Sequence, residues 1–134
     1  MKRTIEIDDT LEDRIDSAIV DVKDTLEEYL KDNPDTDSVP CISNDLDYSG
    51  AIHEIVDSSV PVYTKEIEDI WYMHKRELLE AYEWAGIGTN PQENDGMTAI
   101  YCLIDHKIRE WYDANAQEVV DEYIRKRELV EKEK

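Results

Sequence analysis

Apolar residues recur along this chain with the spacing of helices and almost nowhere with the alternation of strands. Leu11, Ile15, Ala18, Ile19, Val22, Leu26 and Tyr29 stand three or four positions apart, which places them on one face of a helix. They predict an amphipathic helix over roughly residues 10–31, opened by Thr10-Leu-Glu-Asp13 in the form of a capping box. Its other face carries Asp13, Asp16, Asp21, Asp24, Glu27 and Glu28, broken only by Val20 and Lys23. A second series, Ile52, Ile55 and Val56, belongs to a helix that begins near Asn44 or Asp45. Beyond it Tyr63, Ile67, Ile70, Trp71, Leu78 and Tyr82 continue a stripe up to Gly86. Pro61 stands between the two. Inside a helix a proline removes a hydrogen bond and clashes with the preceding turn, whereas in the first turn it does neither. With Ser58 and Ser59 ahead of it as capping residues, "AIHEIVDSSVPVY" (51–63) predicts two helices meeting at Val60-Pro61.

The third series, Met97, Ile100, Tyr101, Ile104, Ile108, Trp111, Tyr112, Val119 and Tyr123, predicts a long terminal helix over roughly residues 97–130. Pro, Gly and Asn cluster at 32–44 and 86–96, the expected connections. No repeat or low-complexity block divides the chain. The expected fold is all-α: a single small domain over 1–134, of about four helices, with a long C-terminal helix and an acidic surface.

Charge changes this picture most. Among 134 residues, 40% hydrophobic and so able to build a core, 34 acids face 15 bases, for a formal net charge of −19. Solubility of a small domain needs a magnitude of only about 2–8, and the excess opposes compaction. Residues 1–60 hold 17 acids and 5 bases, residues 61–120 hold 12 and 5, and the last 14 residues balance at 5 and 5. The acid therefore belongs to the folded body and not to a tail. Such a field selects a basic partner and disfavours nucleic acid or an anionic membrane as a direct ligand. Cys41 and Cys102 form no CxxC motif, and no signal peptide or membrane span is evident, so two free thiols in a reducing cytosol are expected.

Candidate chemistry adds little. His53-Glu54-Ile55-Val56-Asp57 has Asp where the zinc motif H-E-x-x-H needs its second histidine, and a structural histidine is the expected reading. No acid precedes His53, His74 or His106 by three, which removes the di-iron pattern. Glu77-x-x-Glu80 and Glu118-x-x-Asp121 are helical carboxylate pairs of the kind that hold magnesium in all-helical nucleotide pyrophosphohydrolases of the MazG type. In so acidic a chain these spacings also arise by chance. No catalytic residue, metal or cofactor is assigned.

Carboxylates at i, i+3 and i+4 on a helix stand about 5–6 Å apart, comparable to successive phosphates of a nucleic-acid strand. Rows of them present a DNA-like pattern of charge without bases. The segment "AIHEIVDSSVPVYTKEI" resembles the Overcome Classical Restriction (Ocr) family of phage proteins, through Ala51, Ile52, His53, Asp57, Val60, Pro61, Tyr63 and Ile67. The resemblance spans about residues 45–70. It implies a small, acidic, all-helical homodimer shaped like bent B-DNA, which occupies the DNA-binding groove of type I restriction-modification enzymes in the host bacterial cytoplasm. On that reading the binding acids are Asp13, Asp16, Asp21, Asp24, Glu27, Glu28, Glu54 and Asp57. Glu68 replaces an apolar residue of the family's dimer contact, and Trp71 and Tyr72, one turn on, are the expected substitutes. A DNA mimic aimed at a CRISPR effector or nucleoid protein, and the magnesium-dependent pyrophosphohydrolase, remain open as alternatives.

Overall fold

A computed structural model describes residues 10–47, 50–86 and 96–132, with side chains through Val130. Five α-helices follow one another: α1 (Leu11–Asp32), α2 (Ala51–Ser59), α3 (Thr64–Met73), α4 (Lys75–Trp84) and α5 (Gly96–Lys132). A single π-helical turn (Ile42–Leu46) precedes α2, and the described residues contain no strand. The all-α class and the long terminal helix are as the sequence predicts. Of the connection expected at 86–96, residues 87–95 lie outside the described residues.

The long helix is the spine. Ala99, Ile100, Cys102, Leu103, Ile104, Ile108, Tyr112, Ala116 and Val120 of α5 are buried. Three consecutive buried residues, 102–104, mean that α5 is apolar nearly all round there, as a helix covered on several sides must be. The covering helices are α1, α2, α3 and α4, all in contact with α5. Leu11, Ala18, Val22, Leu26 and Leu30 from α1, Ile52 and Val56 from α2, Ile70 and Trp71 from α3, and Leu78 and Ala81 from α4 complete one core. Burial of these side chains, at about 1.5–3 kcal/mol each for the large ones, drives the assembly. Among the described residues two polar ones are buried, and each has a partner: Asp69 Oδ1 accepts from Lys65 Nζ at 2.8 Å, and the Ser59 hydroxyl donates to the Ile55 carbonyl at 2.8 Å.

Several helix ends differ from expectation. The capping box does not form. The Thr10 hydroxyl donates across the fold to Glu66 and makes no hydrogen bond to the α1 N-terminus. Arg14 joins the same carboxylate, Nε at 2.5 Å and Nη2 at 2.9 Å, and its Nη1 reaches the Ser59 carbonyl at 3.0 Å. A tertiary ion pair thus takes the groups that a local cap would have used. Ser58 and Ser59 do not cap α3 either. Their hydroxyls donate to the carbonyls of Glu54 and Ile55 and so close α2. The predicted break at Val60-Pro61 is present, with Val60 extended and α3 starting only after Tyr63, so Pro61 lies in the connection.

The helix expected from Asn44 or Asp45 starts instead at Ala51, because Gly50 adopts φ +81°, a left-handed conformation that interrupts the chain after the π turn. Asp47 bridges the gap: its Oδ1 accepts from the backbone N–H groups of Ile52 (2.8 Å) and His53 (3.1 Å). The stripe from Tyr63 to Tyr82 is two helices and not one, divided at His74 (φ −121°, ψ 24°). The chain after α1 forms a strap along α5. Arg127 donates to the Pro34 carbonyl, the Tyr112 hydroxyl to the Pro40 carbonyl, and Arg109 Nη1 to Ser43 Oγ at 3.0 Å.

Candidate functional site

The core positions of α1 fix where its acids point. With Leu11, Ala18, Val22, Leu26 and Leu30 turned inward, Asp13, Asp16, Asp21, Asp24, Glu27 and Glu28 fall on the far side, and all six are exposed. Val20, 57% exposed, sits within the row. Glu54 and Asp57 on α2 are exposed as well. None of these eight carboxylates enters an ion pair among the described residues. The bases nearest in sequence are used elsewhere or stand at the edge: Arg14 turns inward to Glu66, and Lys23 and Lys31 flank the row. The structure therefore gathers the six α1 acids on one helix face. Asp57 is not gathered with them. It lines a separate shallow groove with Val62, Met97 and Tyr101, where its charge adds to burial in raising the Tyr101 hydroxyl above its ordinary pKa.

Asp and Glu spaced this way approach the linear density of a nucleic-acid strand. α1 has 22 residues, about 33 Å of helix, and carries Glu12 and Asp32 besides the six, so a carboxylate occurs about every 4 Å along its axis. One strand of B-DNA carries a charge about every 3.4 Å. The row also runs against the helix dipole. Acid is favourable in the first turn, but Glu27, Glu28 and Asp32 stand at the negative C-terminal end, where it is not.

His53 has a structural role. Its Nδ1 pairs with Asp47 Oδ2, the same carboxylate that receives the first N–H groups of α2. The two carboxylate pairs of the pyrophosphohydrolase reading are not brought together. Glu77 and Glu80 line a groove of about 290 Å³ between α4 and α5 with Trp84, His106, Lys107 and Glu110. Glu118 and Asp121 lie farther along α5, Asp121 accepting from Gln117 at 2.9 Å. Among the described residues no group of three or more His, Cys, Asp or Glu side chains is placed to hold a metal ion. No helix among them is long and apolar enough to cross a membrane.

Trp71 is corrected as a dimer contact. It is 4% exposed, packed in the core of a single chain with Lys75 Nζ 6.0 Å from its ring centroid, so its surface is already spent. Tyr72, 63% exposed, is accessible. The exposed tryptophan is Trp84, whose ring lies 4.5 Å from that of His106. Sequence reasoning passed over a basic groove between α1 and the last turns of α5. It measures about 590 Å³ and is lined by Lys23, Lys31, Lys126 and Arg127 around Val119, Tyr123 and Val130. Its one signal was the charge-balanced C-terminal segment. No protein-family model matches this chain, and no curated protein or solved structure does.

Proposed function

We propose that this chain is a DNA-mimic inhibitor that occupies the DNA-binding groove of a bacterial defence enzyme, for which a type I restriction-modification enzyme is the leading target. One observation carries the reading: the unpaired row of exposed carboxylates on α1, at a spacing close to that of strand phosphates and partly set against the helix dipole. The resemblance of residues 45–70 to the Ocr family gives it a target class. The mechanism is competitive occlusion. Carboxylates engage the Lys and Arg side chains that otherwise meet phosphates, and opposite fields raise the association rate. The chain contributes charge and shape, and no covalent step is involved.

Competition with duplex DNA for the enzyme, measured at low and high salt, tests this. Neutralising Asp24 alone should change competition by less than about fivefold, as expected for one solvated ion pair worth about 0–1 kcal/mol. Neutralising Asp13, Asp16, Asp24, Glu27 and Glu28 together should weaken it steeply and flatten its salt dependence. A grouped variant that competes like the parent at both salt concentrations would remove α1 as the binding face. The pyrophosphohydrolase reading makes the opposite forecast, in which Glu77→Gln alone abolishes turnover of a nucleotide with magnesium.

A further inference from the structure

We propose that the groove between α1 and the C-terminal turns of α5 is a binding site for a free amphipathic monoanion of the long-chain carboxylate class. The groove holds about 590 Å³, within the range of about 300–1,000 Å³ usual for small-molecule sites. Its floor is the continuation of the α5 core stripe. Tyr112, Ala116 and Val120 are buried against the rest of the fold, whereas Val119 and Tyr123 are half-covered and Val130 is 59% exposed. From Val119 to Val130 the floor runs about 16 Å along the helix, at about 1.5 Å per residue. An apolar strip of that length accepts a hydrocarbon chain, each methylene of which leaves water as it settles on it.

Charge selects the head group. Lys23 and Lys31 line the groove from α1 and Lys126 and Arg127 from α5, against two carboxylates, Glu27 and Glu122. Lys126 and Glu122 offset one another at 3.4 Å. Arg127 donates to the Pro34 carbonyl, which fixes its guanidinium without neutralising it. Neither Lys23 nor Lys31 enters an ion pair among the described residues. The groove thus keeps two positive charges in excess on a chain of net −19, and it draws an anionic head where a cationic one is repelled. The acid row on the same helix limits that head to a single charge. Asp24, Glu28 and Asp32 directly follow Lys23, Glu27 and Lys31, so each α1 position lining the groove has a carboxylate at its shoulder. A polyanion is repelled along its length by these acids, as is the plane of an anionic bilayer, whereas one compact head among the cations is not. The site does not depend on the inhibitory role proposed above, since no target takes part in it.

Titration of the full chain with decanoate, read by calorimetry and by backbone amide shifts, tests the proposal. One decanoate should bind per chain, with shifts confined to residues 23–31 and 119–130. Decanoate should bind at least about tenfold more tightly than decanol, which lacks the charge-assisted contact, and decylammonium should not displace it. Lys23→Gln and Lys31→Gln should each weaken decanoate binding about two- to fivefold and leave decanol binding unchanged. Val130→Asp should weaken both, and Lys107→Gln, in the groove between α4 and α5, should alter neither. Decanol that binds as tightly as decanoate, lysine variants that bind decanoate like the parent, or shifts centred outside the groove each overturn the proposal. So does a failure of millimolar decanoate to bind, whether the groove then stays empty or is filled by an acidic helical peptide or a second copy of the chain.

Discussion

Glu66 gathers three groups from the start of α1: the Thr10 hydroxyl and two nitrogens of Arg14. The hydrogen bonds from Arg14 are the largest cause holding its carboxyl below the usual carboxylate range, against the opposing effect of burial. A depressed pKa means stability that is present above the ordinary carboxylate value and lost as pH falls through the folded one. Acid titration of the parent should therefore show a loss below about pH 4.5 that Glu66→Gln lacks, with the variant less stable at neutral pH by about 1–3 kcal/mol in urea melts. Tyr112→Phe should cost a similar ~1–3 kcal/mol, because it leaves the Pro40 carbonyl without its donor. The two thiols should separate kinetically: exposed Cys41 reacts promptly with a thiol reagent, whereas Cys102, 5% exposed and pushed up in pKa by burial, reacts only on unfolding. Little of this residue chemistry was legible in the sequence. Glu66 lies 52 positions from Arg14, and nothing local distinguishes it from the other acids.

Elements were legible where the apolar period was long and blurred where two helices share one stripe. Ile70 and Leu78 are eight apart, a spacing that continues one face whether or not the backbone breaks, so the interruption at His74 left no mark in the pattern. Val60-Pro61 did leave one, because proline changes the backbone as well as the pattern. The close approach of α5 to α3 is likewise visible only in three dimensions. A Cβ on Gly96 would lie 2.9 Å from Ile67 Cγ2, a branched methyl with little room to turn. Gly96→Ala should therefore destabilise by about 1–3 kcal/mol in thermal or urea melts, despite alanine's better helix propensity.

At the scale of the whole molecule, net charge and packing oppose one another. The six clustered acids of α1 were predicted from the helical period alone, since fixing the core face fixes its opposite. The grouping of four bases at one groove was not, because Lys23 and Lys126 are 103 positions apart in the sequence. Self-repulsion at −19 predicts a melting temperature that rises between about 0.01 M and about 0.15 M salt, as the screening length falls from about 30 Å to about 8 Å. Glu28→Gln with Asp32→Asn should stabilise by roughly 0.3–1 kcal/mol in the same melts, by removing acid from the negative end of α1. Finally, α1 is made first, yet the spine it packs on is made last. About 100 residues separate the end of α1 from the end of α5, and at about 5–20 residues per second the ribosome takes roughly 5–20 s to supply them. Throughout that interval the nascent apolar face of α1 lacks its main partner, while the carboxylates behind it set like charge against the same segment of a neighbouring nascent chain.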